Sequence, residues 1–85
     1  MERFGEDLQL PFPLELAPLD AGTWRVADRR FDDGDPRRIL GYLTENTGEY
    51  EMLWMRPRIG VRHLYPSIED AVRGITTRLI VPGRR

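Results

Sequence analysis

Between Trp24 and Tyr65 bulky apolar and polar side chains alternate in short runs, and after Tyr65 the apolar spacing lengthens from two to between three and four. The first run, Trp24-Arg25-Val26-Ala27-Asp28-Arg29, reads as a strand that leads into Asp32-Asp33-Gly34-Asp35-Pro36, a dense turn signal. Arg38 to Thr44 and Glu49 to Met55 read as two paired antiparallel strands. Glu45-Asn46-Thr47-Gly48 lies between them, and Gly48 can take the positive φ of a bulged hairpin loop. Arg56-Pro57-Arg58-Ile59-Gly60 makes the next connection, and Val61 to Tyr65 makes a further strand.

The change of period marks a helix. Ser67 is placed to accept from the amide three residues on, and Glu69 and Asp70 occupy the first turn, where the helix dipole favours acids. Ile68, Ala71, Val72, Ile75 and Leu79 then form one apolar stripe, and Pro82 stops the helix, which spans roughly Ile68 to Ile80. Gly74 costs such a helix about 1 kcal/mol relative to Ala unless it permits close approach to the sheet.

Ahead of the first strand, Leu8 to Leu19 carries three prolines, each of which removes a backbone donor and holds its predecessor away from helical geometry. It reads as an extended arm, too apolar for a free linker. The expected organisation is an arm over residues 1–23, a single β-β-β-(β)-α domain over 24–81 and a tail over 82–85. The fold class is α+β: an antiparallel sheet of three to four strands, one C-terminal helix packed on one face, and an extended Pro-rich N-terminal arm.

That architecture leaves apolar surface over. If Glu45 pairs with Glu49 around a three-residue loop, Leu40, Tyr42, Met52 and Trp54 share one face of the sheet. Ile39, Leu43, Leu53 and Met55 then share the other, and a shift of one residue exchanges partners without making either face polar. One helix of about thirteen residues covers one side only. The other needs a cover, either the arm or a second copy of the protein.

Composition narrows the chemistry. The 85 residues include no Cys and no Lys, one His (His63) and one Ser (Ser67). These absences exclude a thiolate nucleophile, a Cys-rich zinc site, a Schiff-base lysine and a P-loop lysine. No apolar run approaches the ~20 residues of a membrane helix, and a chain of this length supports one core. The N-terminus, with acids and no long apolar stretch, does not read as a secretory signal, so the expected location is cytoplasmic. All 13 basic residues are Arg, which fits GC-rich coding. The net charge of −1 hides a gradient: residues 1–23 set Arg3 against five acids, and residues 53–85 hold seven Arg against Glu69 and Asp70.

Several groupings fall short of a catalytic or metal site. His63 has no partner set for a triad, because Ser67 is committed to the helix cap. Asp28, Asp32, Asp33 and Asp35 around Gly34 lack the spacing of a calcium loop and read as a solvated turn. Glu49 and Glu51 sit on one strand rather than across a cleft. Arg56, Arg58, Arg62 and His63, with Trp54 and Tyr65 interleaved, form a basic and aromatic cluster of the kind that grips phosphates and stacks on bases.

Trp24-Arg25-Val26-Ala27-Asp28, Leu40-Gly41-Tyr42-Leu43, Tyr50-Glu51-Met52 and Ser67-Ile68-Glu69-Asp70-Ala71 together resemble small uncharacterised proteins of high-GC Gram-positive bacteria, over roughly residues 24–75. From Gly41 through the helix, the hairpin, third strand and Ser-x-Glu helix start are similar to HicB-type antitoxin domains, although the family's Pro-Asp-Leu-Pro-Gly stretch is missing. The strand order also resembles, in topology alone, the arm-type DNA-binding domains of integrases.

The expectation is a non-enzymatic protein–protein interaction module of bacterial origin, without cofactor or metal, that forms a homodimer or docks on another protein through the open sheet face. Its anchors are Tyr42, Met52 and Trp54, or Leu43, Leu53 and Met55. The alternative is a nucleic-acid-binding regulator, antitoxin-like or integrase-associated, using Arg56, Arg58, Arg62 and His63. Membrane association is not expected.

Overall fold

A computed structural model describes residues 10–56 and 58–80. Residues 1–9 of the expected arm and the expected tail over 82–85 lie outside the described residues. The architecture is α+β. Five strands run as β1 (Leu14–Asp20), β2 (Thr23–Asp28), β3 (Ile39–Asn46), β4 (Glu49–Trp54) and β5 (Val61–Tyr65), followed by one helix, α1 (Ile68–Ile80). Every neighbouring pair is antiparallel and the order across the sheet follows the chain, β1-β2-β3-β4-β5.

The sheet therefore has five strands where three to four were expected. The additional one is β1, drawn from the Pro-rich stretch. Pro18 is tolerated there because β1 is an edge strand, so a missing N–H interrupts at most one ladder. Pro13, just before the strand, accepts from the Arg29 amide at 2.8 Å.

Register decides which face each side chain occupies. The β3–β4 hairpin closes around two residues, Thr47 and Gly48, with Asn46 opposite Glu49; both turn residues have positive φ, 55° and 84°. This is the primed two-residue turn that matches strand twist, not the three-residue loop expected from sequence. The one-residue difference sets Leu43 opposite Met52 and Tyr42 opposite Leu53. A slip of one exchanges faces, so the two expected facing sets are each split.

The helix-side face carries Leu14, Trp24, Val26, Leu43, Met52 and Trp54, joined in one buried cluster with Leu40 and with Ile68, Ala71, Val72 and Ile75 of α1. A bulge at Val26/Ala27 leaves Leu40 and Gly41 together opposite one β2 position, which brings Leu40 into this cluster. Gly41 keeps the hairpin tight: a Cβ there would run into the Leu53 carbonyl oxygen.

The helix begins where the sequence places it. Ser67 Oγ accepts from the Asp70 amide at 3.0 Å. A lone helix of thirteen residues is marginal in water, so α1 depends on its apolar stripe against β1, β4 and β5. Gly74 permits the expected close approach, since a Cβ there would lie 2.6 Å from Tyr65 Cε1. Among the described residues no helix is long and apolar enough to cross a membrane.

At the end of β2, Asp28 is 2% exposed and takes a fork from Arg30, with Nε to Oδ1 at 2.9 Å and Nη2 to Oδ2 at 2.8 Å. Arg30 also reaches the Leu79 carbonyl at 3.3 Å, tying the strand to the last turn of the helix. The Arg30 fork holds the Asp28 carboxyl below its ordinary value against the opposing effect of burial.

Candidate functional site

Two surfaces remain after the core is built: the sheet face opposite α1, and a cleft on the helix side.

On the uncovered face, adjacent strands align in rows. One row is Arg25, Tyr42, Leu53 and Arg62; the next is Thr23, Thr44, Glu51 and Leu64. Tyr42 and Leu53 are half-buried by their neighbours alone, and Leu64 is 65% exposed. None of the three belongs to the core cluster. Arg62 Nε lies 3.7 Å from Glu51 on the adjacent strand. The described part of the Pro-rich stretch goes elsewhere: β1 takes the sheet edge and Leu10 packs against the helix-side core.

Of the expected anchors, Tyr42 and Leu53 therefore stand together on the open face, and Met55 is half-buried just past β4. Leu43, Met52 and Trp54 lie in the core at 0%, 0% and 4% exposure, where α1 already occupies the space a partner would need. Leu64 was missed because an isolated Leu between His63 and Tyr65 carries no signal of its orientation until the β4–β5 register is fixed.

The cleft, of about 560 Å³, opens at the end of the sheet where the β2–β3 and β4–β5 connections meet the last turn of α1. Its floor is apolar, formed by Phe31, Leu40, Trp54, Val61 and Leu79. Its rim carries Arg37, Arg56, Arg58 and Arg78 together with His63, and among the described lining residues none is acidic. Three of the four residues expected in a nucleic-acid surface, Arg56, Arg58 and His63, thus converge. Arg62 does not join them, because it alternates with His63 along β5 and faces the opposite side.

The rim cations differ in how far they are neutralised. Arg37 pairs with Asp35 at 2.8 Å, and its guanidinium lowers the Asp35 carboxyl to about 2. Arg37 also stacks 4.7 Å above the Phe31 ring. Arg56 donates to the Pro36 carbonyl at 3.1 Å. Arg78 lies 5.7 Å over the Trp54 ring. Among the described residues no carboxylate is within ion-pair distance of Arg56, Arg58 or Arg78.

His63 sits at the junction. Trp54 Nε1–H donates to its Nδ1 at 2.9 Å, while Arg78 Nη2 lies 3.2 Å from its Nε2. Arg37, Arg78 and Phe31 were missed because the meeting of a loop, a helix end and a hairpin is a tertiary relationship with no local pattern. The four aspartates around Gly34 separate: Asp28 is committed to Arg30, Asp35 caps the 3₁₀ turn Pro36–Arg38, and Asp32 and Asp33 are exposed.

No family model, no curated protein and no solved structure matches the chain.

Proposed function

We propose that the chain is a non-enzymatic protein–protein interaction module that pairs with a second copy of itself through the uncovered face of the sheet. The observation that carries this reading is the row in which Tyr42 opposes Leu53, with Leu64 65% exposed beside it and no described element over that side. Exposed contiguous apolar surface is costly in water and marks a contact site.

Charge favours a second copy as the occupant. Arg25 and Arg62 flank the apolar pair in one row and Glu51 lies in the next. A two-fold face-to-face arrangement would offer Arg25 of each copy a contact with the other copy's Glu51, which within its own chain lies 3.7 Å from Arg62. Five strands about 4.8 Å apart, each about six residues long, make a face of about 19 by 20 Å. A face of that size gives about 380 Å² per copy, roughly half the ~800 Å² per partner of a standard specific interface, so the dimer is expected to be weak and transient, micromolar or looser. A cytoplasmic setting belongs to this reading, since a chain without cysteine gains nothing from an oxidising compartment. Sedimentation velocity tests it: the unmodified chain dimerises with rising concentration and Leu64→Glu stays monomeric, whereas a monomer at every concentration removes the reading.

A second reading, binding of nucleic acid by a regulator, is favoured by the convergence of Arg56, Arg58 and His63 on one cleft. Phosphate contacts make affinity fall steeply with salt. Titration with single-stranded and duplex DNA at two salt concentrations tests it, and absence of binding at low salt ends it.

A further inference from the structure

The contacts of His63 do not close on themselves. In the neutral ring one nitrogen carries the proton and the other accepts. Trp54 is 4% exposed, so its indole N–H must find an acceptor inside the protein, and His63 Nδ1 at 2.9 Å is that acceptor. The imidazole proton is then on Nε2, where it faces the Arg78 guanidinium at 3.2 Å. Two donors point toward one another, an arrangement resolved by an acceptor seated against both. Arg56 and Arg58 stand on the same rim without a carboxylate partner among the described residues. Below them the cleft is apolar and of a size typical for a small ligand.

We propose that this cleft binds a phosphate monoester carried on a flat heteroaromatic body, a nucleoside monophosphate unit. The phosphate sits against His63 Nε2–H and Arg78 within reach of Arg56 and Arg58, and the ring lies on the Phe31, Val61 and Leu79 floor. A dianionic head suits three guanidinium groups that have no carboxylate within ion-pair distance among the described residues better than a single carboxylate does, and guanidinium forks match phosphate geometry. The unit comes from one of two sources, a free nucleotide or a residue of a single strand. The proposal deepens the nucleic-acid reading by naming its subsite, and it is independent of self-association.

The test follows tryptophan fluorescence and calorimetry as the full chain is titrated with adenosine monophosphate, adenosine, inorganic phosphate and a short single-stranded oligonucleotide. Arg78→Gln is compared with Arg73→Gln, which lies on α1 in an ion pair with Asp70 away from the cleft; circular dichroism verifies that both fold. The expected result is that the monophosphate binds more tightly than adenosine or phosphate, and that Arg78→Gln weakens it about tenfold or more while Arg73→Gln does not. Tighter Arg78-dependent binding of the oligonucleotide identifies a strand as the source, and equal binding identifies the free nucleotide. Oligonucleotide binding without monophosphate binding, or monophosphate binding indifferent to Arg78→Gln, overturns the subsite and leaves the nucleic-acid reading standing. No binding of either overturns both.

Discussion

Trp54 Nε1–H donates to His63 Nδ1 across adjacent strands at 2.9 Å, and this one bond fixes which imidazole nitrogen carries the proton facing the cleft. Removing the acceptor leaves a buried donor unsatisfied. His63→Ala is therefore expected to destabilise the fold by about 1–3 kcal/mol, read from the denaturant midpoint. Nitrogen-15 spectra of the neutral ring are expected to show the Nε2–H tautomer, and an Nδ1–H ring would contradict the assignment.

Helix propensity and packing conflict at Gly74. Alanine there gains about 1 kcal/mol of propensity but places its Cβ 2.6 Å from Tyr65 Cε1. Gly74→Ala is expected to destabilise the native chain, yet to stabilise a Tyr65→Ala background by about 1 kcal/mol. A thermal-melt double-mutant cycle measures the sign change; the same sign in both backgrounds would contradict the packing account.

Acid stability depends on Asp28. The Arg30 fork holds its carboxyl below the ordinary value of 3.8, so its contribution is complete above that value and is lost as pH falls through the lowered one. Asp28→Asn is expected to cost roughly 1–2 kcal/mol near neutral pH, at the low end for a buried charged bond because Arg30 is half-exposed. The difference between the two proteins should shrink as pH drops below the ordinary carboxylate range. Thermal melts across acid pH measure this, and a constant offset would contradict it.

The hairpin turn carries a non-glycine residue in the left-handed region, Thr47 at φ 55°. A β-branched side chain is strained there, whereas Asn is tolerated and Asn-Gly is favoured in this turn. Thr47→Asn is expected to raise stability by about 0.5–1 kcal/mol, a matter of some degrees in the melting midpoint.

Much of this fold is legible locally, because its determinants are local. The Ser67 cap and the apolar stripe delimit α1 at Ile68–Ile80, and the alternating runs locate β2 to β5 within two residues. Strand β1 is hidden because Pro18 within it, with Pro11 and Pro13 just ahead, argues against a strand unless the strand is an edge, and an edge is a property of the whole sheet. The faces of β3 and β4 are hidden because they depend on a one-residue choice of turn, and Thr47 is a poor advertisement for the turn that forms. The same choice sends Trp54 under the helix while leaving Tyr42 outside. The cleft was half legible: Arg56, Arg58 and His63 are close in sequence, but Arg37 and Arg78 reach it only through the packing of α1 and the β2–β3 connection.

Self-association through the uncovered face is tested most directly by methyl and amide NMR spectra recorded over a range of protein concentrations. The account predicts concentration-dependent shifts at Tyr42, Leu53 and Leu64, small changes along α1, and loss of the dependence in Leu64→Glu. Spectra that do not change with concentration, or changes confined to α1 and the cleft, would contradict it.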